Sequence, residues 1–91
     1  MKARQLRIHG RVQGVFYRGW SRDEALSLGL GGWVRNRSDG SVEMLIRGEE
    51  EVVAAMIERC RAGPPAAHVE RIDIEECDEP PPLVFELRPT L

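Results

Sequence analysis

A chain of 91 residues can build one hydrophobic core between two layers, and leaves no room for a second domain or a deep cofactor cleft. With 42% hydrophobic and 31% charged residues it has the balance of an ordinary folded protein, which excludes a disordered or membrane-embedded class. The formal net charge of −2 conceals a split: residues 1–41 hold eight Lys and Arg against three Asp and Glu, and residues 42–91 hold five against twelve. A chain of this size places any site on a loop or an edge, and the charge split alone selects no surface, because sequence halves are not spatial faces.

Leu6, Ile8, Gly10 and Val12 alternate with Gln5, Arg7, His9 and Arg11, the period of a strand with one buried and one wet face. Tyr17, Ser21, Ala25 and Leu28 then fall at helical spacing, with Trp20 at the edge of the stripe and Gly29 as a C-terminal stop. Gly31-Gly32 lead into a strand from Trp33, Ser38-Asp39-Gly40-Ser41 reads as a tight turn, and Val42, Met44 and Ile46 alternate with Glu43, Leu45 and Arg47, completing a hairpin. A second helix opens on Glu49-Glu50-Glu51, matched to the positive end of its dipole, and carries Val52, Val53, Met56, Ile57 and Cys60 on its buried stripe up to Gly63-Pro64-Pro65. Ile72 and Ile74 mark a fourth strand, Pro80-Pro81-Pro82 a stiff loop, and Phe85 and Leu87 a possible last strand. The order β-α-β-β-α-β predicts an α+β, ferredoxin-like α/β sandwich: an antiparallel sheet of four or five strands with two helices on one face, residues 1–91 forming one domain. The first strand and the strand from Trp33 are expected to be close neighbours.

Met1 to Gln5 enters the first strand with no apolar leader core, and the longest apolar run, Val52 to Ile57, is too short to span a bilayer. A cytoplasmic location with no membrane partner is the expectation, and in that compartment Cys60 and Cys77 stay reduced, Cys60 serving as a small core hydrophobe. Asn36 heads an Asn-Arg-Ser sequon that has no meaning there.

Between the first strand and the first helix runs Gly10-Arg11-Val12-Gln13-Gly14-Val15-Phe16-Tyr17-Arg18. Glycines let main-chain N–H groups converge at a helix N-terminus, where the dipole favours negative charge, and Arg18 adds a planar fork of donors for phosphate or carboxylate. A cation at that end of a helix is misplaced unless an anion joins it. The ligand is read as a small oxyanion. In the second strand, alternation puts Val34, Asn36 and Ser38 on one face and Trp33, Arg35 and Arg37 on the other, so an Asn36 amide that follows Val34 toward the helices can approach the loop. Arg11, Arg35 and Arg37 are expected to be solvated. His9 and His68 lack partners at metal-ligand spacing, Gly29, Gly31 and Gly32 do not fit a dinucleotide fingerprint, and no Gly-Lys-Ser/Thr phosphate loop occurs.

GRVQGVFYR, followed eighteen residues after its arginine by Asn36 within GGWVRNRSDGSVE, resembles the acylphosphatase family, and GPPAAHV at residues 63–69 and Phe85 extend the likeness over essentially the whole chain. The resemblance implies a ferredoxin-like fold and metal-independent hydrolysis of acyl phosphates to carboxylate and inorganic phosphate. It assigns phosphate binding to the N–H groups of Gln13, Gly14, Val15, Phe16, Tyr17 and Arg18 with the Arg18 guanidinium, and orientation of the water to Asn36. No cofactor or metal is called for. The expected ligands are a small-molecule acyl phosphate and inorganic phosphate or sulfate, and the protein is expected to be a monomer.

Three other readings use the same layout. An RNA-binding module needs an aromatic ladder on the open sheet face, where only Trp33 could serve, and the acidic balance opposes it. A small-anion sensor would use the same loop without turnover. The homologous segment of a large hydrogenase-maturation protein would come with further domains.

Overall fold

The computed structural model describes residues 2–77 and 82–91; Pro80 and Pro81 of the expected proline loop lie outside the described residues. The elements are β1 (Lys2–Arg11), α1 (Tyr17–Ser27), β2 (Gly31–Asn36), β3 (Val42–Gly48), α2 (Glu50–Ala62), β4 (His68–Glu76) and β5 (Phe85–Leu87). They build one five-stranded sheet in the order β4-β1-β3-β2-β5. The hairpin turn is closed by Asp39, whose Oδ1 accepts hydrogen bonds from the Ser41 amide at 2.9 Å and the Ser41 hydroxyl at 2.6 Å.

Both helices cover one face. Leu6, Ile8 and Val12 of the first strand and its exit, Val34, Val42, Met44, Ile46 and Phe85 from the other strands, and Tyr17, Ala25, Val53, Met56 and Cys60 from the helical side form a single buried cluster. The alternation read from the sequence thus selects the inward face correctly, and burial of this aliphatic surface is the main driving force for the fold. Cys60 is fully buried with its Sγ 4.0 Å from Met44 Sδ, and it is not bridged to Cys77. On β4, Ile72 packs against the core while Ile74 is partly exposed, as befits an edge strand that the helices cover incompletely.

Two expectations about the sheet need correction. β1 and β2 are not paired: β3 lies between them, antiparallel to both. The crossover through α1 leaves a gap one strand wide, and the short turn after β2 folds β3 back into it, the split βαβ arrangement. Ile8 and Asn36 nevertheless share a row through Val42, so the loop leaving β1 starts at the end of the sheet where β2 finishes. Nor is the sheet wholly antiparallel, because β5 runs parallel to β2. The register explains this: Glu76, Arg4, Ile46, Gly32 and Phe85 form one row, so β5 starts at the end where β4 stops. It must then oppose β4, as β2 already does. Its ladder continues beyond Leu87, with Arg88 N–H bonding Val34 O at 2.9 Å and Leu91 N–H bonding Asn36 O at 3.1 Å.

Candidate active site

The loop from Val12 to Phe16 is shaped by alternating backbone hand. Gly14 has φ +74° and Phe16 φ +65°, while Gln13 and Val15 are not in the left-handed region. Successive αR and αL residues can turn N–H groups to one side, the geometry of an anion-binding concavity. Phe16 is also the N-cap of α1; it gives no side-chain cap, and the first turn of α1 contains no acidic residue. The N-terminal donors and the positive dipole end are therefore open to a ligand. A non-glycine residue at positive φ is strained, and Phe16 is in addition 69% exposed, both marks of a position kept for something other than stability. Gly19 makes room for its ring, since a Cβ there would lie 2.4 Å from Phe16 Cε1.

Gln13, Gly14, Phe16, Tyr17 and Arg18 line one pocket of about 290 Å³, and Asn36 from the end of β2 closes its far side. The shared row of Ile8 and Asn36 is what brings the amide to the loop despite the intervening strand. Of the loop residues named from the sequence, Val15 alone is absent from the lining, its side chain packing on the core. Gly19, Arg22 and Leu87 join the pocket unforeseen. Arg22 stands four residues after Arg18, a spacing that puts both on one helix face.

Two side chains of the loop brace it. The Gln13 side-chain amide donates to Arg37 O at 2.7 Å and to Ser41 O at 2.9 Å, tying the loop to the hairpin that carries Asn36. The Tyr17 hydroxyl donates to Cys60 O at 2.6 Å, joining the start of α1 to the end of α2. Burial, followed by the neighbouring Cys60, raises the Tyr17 pKa, so the phenol stays protonated and takes no part in proton transfer. Burial likewise pushes the Cys60 thiol up to about 12, which makes it inert as a nucleophile.

The opposite sheet face holds a second charged centre. Arg35 and Arg37, expected to be solvated, converge with Arg7 and Gln5 on the buried Glu43. Glu43 Oε1 accepts from Arg35 Nε at 2.7 Å and Arg37 Nη1 at 3.2 Å, and Oε2 accepts from Gln5 Nε2 at 2.6 Å with Arg7 Nη2 at 3.7 Å. Burial alone would raise the pKa of this carboxyl, but the Arg35 hydrogen bond and the charges of Arg35, Arg37 and Arg7 prevail and lower it. Register produces the cluster, because Arg7 and Arg35 are both paired opposite Glu43. Trp33, the one aromatic suited to an RNA platform, is 5% exposed and has the guanidinium groups of Arg35 and Arg88 at 4.6 and 4.9 Å from its ring. Its π-faces are occupied, which removes the structural basis for base stacking. Among the described residues no group of three or more His, Cys, Asp or Glu is arranged to hold a metal ion, and no helix is long and apolar enough to cross a membrane. His9 pairs with Asp73 at 3.1 Å, and His68 is exposed.

The fold and the site place the chain among small ferredoxin-like α+β sandwiches whose first strand–helix junction is uncapped and opens on a pocket lined by an arginine and an asparagine. Known proteins supply the family: residues 4–86 match the acylphosphatase family model. The chain is 48% identical over 91 residues to an acylphosphatase of Rhodospirillum rubrum, with all of both chains covered. It is 61% identical over 74 residues to one of Azorhizobium caulinodans, covering 81% of this chain and 80% of that one. The crystal structure of acylphosphatase from Bacillus subtilis superposes with a TM-score of 0.92 at 34% identity, covering 97% of this chain and 99% of the other. The chain belongs to the acylphosphatase family, and its activity is the hydrolysis of acyl phosphates.

Proposed function

We propose that residues 1–91 act as one acylphosphatase domain, monomeric and without metal or other cofactor, in which water attacks the phosphorus of a small acyl phosphate. The main-chain N–H groups from Gln13 to Arg18 and the Arg18 guanidinium hold the phosphoryl oxygens, and Asn36 orients the water by accepting a hydrogen bond from it. As the new P–O bond forms, the bond from phosphorus to the acyl oxygen breaks, releasing a carboxylate and inorganic phosphate, with the water's proton carried off on the phosphate. The leaving carboxylate is stable without a proton, so no acid is required on that side. Transfer of this kind rests on positioning and charge stabilisation, which an arginine and convergent amides, fixed beforehand, supply in place of a metal.

One observation carries the reading: the open N-terminus of α1, Arg18 and Asn36 face a single pocket, although 18 residues and a strand separate Arg18 from Asn36. Neither His, Cys, Asp nor Glu is among the residues lining it, which matches a reaction that needs no protein base of ordinary strength. Inorganic phosphate and sulfate should bind as competitive inhibitors. No nucleic acid or membrane enters this reading, and the cytoplasm is the compartment in which a thiol such as Cys60 persists.

The test is hydrolysis of benzoyl phosphate in the presence of a chelator, comparing the parent with Arg18→Ala and Asn36→Ala. Both variants should fold and both should lose activity, Asn36→Ala retaining phosphate binding. Labelled water should appear in the phosphate. Label in benzoate, or chelator-sensitive activity, overturns the mechanism.

A further inference from the structure

We propose that Arg22 is an acyl-side subsite that selects acyl phosphates whose acyl group ends in a carboxylate, a short dicarboxylic acid activated at one end. This inference rests on the assignment of the phosphoryl group to Arg18 and the loop amides.

The pocket is larger than its phosphate. Its lining runs past the loop donors to the side chains of Arg22 and Leu87, beyond what one tetrahedral anion at the loop would touch. The surplus has a definite chemistry. Arg22 lines it together with Phe16 and Leu87, which are 69% and 41% exposed and offer apolar surface to a short carbon chain. Two guanidinium groups and the positive end of α1 therefore surround a pocket whose lining includes no carboxylate. A phosphoryl dianion is met by Arg18, the loop amides and the helix end together, which leaves the charge of Arg22 for a second anionic group on the acyl side.

Arg22 is available for the purpose. Its ion pair is with the adjacent Asp23, Nε to Oδ1 at 3.5 Å, and that carboxylate is 64% exposed and outside the pocket lining. A pair of this kind is weak and screened, and yields to a better partner. The contrast with Arg35 and Arg37, whose charges Glu43 neutralises at 2.7 and 3.2 Å, is direct. Along α1 four residues rise roughly 6 Å, so the second anion is sought about that far from the phosphoryl group, the reach of a short dicarboxylic chain. A planar carboxylate matches a single guanidinium fork through two parallel bonds.

The experiment compares kcat/KM for succinyl phosphate and butyryl phosphate, which differ in the terminal carboxylate, in the parent, Arg22→Gln and Arg22→Lys. The parent should favour succinyl phosphate about tenfold, the factor expected of one charge-assisted contact, and the preference should shrink as salt is raised. Arg22→Gln should bring the ratio near one, and Arg22→Lys should keep part of it. Titration with phosphonopropionate and propylphosphonate, followed by calorimetry, repeats the comparison without turnover. A parent ratio near one, or a ratio unchanged in Arg22→Gln, overturns the subsite while leaving acyl phosphate hydrolysis intact. If neither substrate is turned over but phosphonopropionate still binds tenfold better through Arg22, the subsite stands and the hydrolytic reading fails.

Discussion

Arginines occupy two centres on opposite sides of the sheet, and their surroundings are opposite. On the open face, Arg7, Arg35 and Arg37 close around Glu43, which hydrogen-bonds Arg35, Arg37 and Gln5 and pairs with Arg7 at 3.7 Å, while Arg7 also pairs with Asp39 at 3.4 Å. On the helix-facing side, Arg18 and Arg22 share a pocket with an uncapped helix N-terminus and with no lining carboxylate. The first centre has its counter-charges within the protein, so its charges bear on the fold. The second has no carboxylate in its lining, and its charges are the ones proposed for binding and catalysis. Residue type alone does not distinguish a structural arginine from a functional one; the presence of a buried counter-charge does.

The largest effect that would break this contrast is on rate. Arg18→Lys retains the charge but loses the fork, and kcat/KM for benzoyl phosphate should fall by about 10²- to 10³-fold, roughly 3–4 kcal/mol of transition-state stabilisation, with the melting temperature nearly unchanged. On the other face the effect should be on stability. Glu43→Ala removes the carboxylate that Arg35 and Arg37 hydrogen-bond, leaving Arg7 its pair with Asp39, and should lower unfolding free energy by about 3 kcal/mol in denaturant titrations, while the folded fraction retains activity. Because the Glu43 pKa is lowered on folding, its contribution is complete above the ordinary value of 4.5 and is lost as pH falls below it toward the depressed folded value. Glu43→Gln should flatten that part of the stability profile; an unchanged acid slope would show that Glu43 is not held as an anion.

Smaller effects sharpen the link between loop and hairpin. Gln13→Ala releases the loop from Arg37 O and Ser41 O, and kcat/KM should drop by about tenfold through misplacement of the amides relative to Asn36. Gln13→Glu should be worse than Ala, since a carboxylate would face two carbonyl oxygens. If Ala and Glu behave alike, the tether has no part in positioning. Tyr17→Phe leaves Cys60 O without its donor and should cost about 1 kcal/mol in stability, with little change in kcat.

Much of this molecule could be read from local pattern. Alternation at Leu6 and Ile8 and at Val42, Met44 and Ile46, and helical spacing from Val53 to Cys60, name the core because burial repeats with the geometry of each element. The junction between β1 and α1 that lines the pocket is also legible, since glycines before an arginine at a helix start are a local signal. Pairing order was not. Nothing in the period of β1 says that β3 rather than β2 lies beside it, nor that β5 joins β2 in parallel, because those facts depend on where crossovers deliver the chain. The Glu43 centre was hidden for the same reason: alternation put Glu43, Arg35 and Arg7 on the open face, but only the register sets them in one row. Gln13 was read for its main-chain donor, and its side-chain bonds to the hairpin needed three dimensions. Arg22 carried a signal that could have been used, its four-residue spacing from Arg18.

The chain's two tryptophans report on different sides of the sheet. Trp20, edge-on to the Tyr17 ring at 5.4 Å, stands within the turn of α1 that follows the pocket, whereas Trp33 is clasped by Arg35 and Arg88 on the open face. Each can be replaced by phenylalanine in turn, leaving a protein with a single tryptophan, which excitation at the red edge reads without Tyr17. Emission from the first then follows ligand occupancy, and emission from the second follows dissolution of the ionic cluster by acid or salt, so that saturation and unfolding become separately visible in one cuvette.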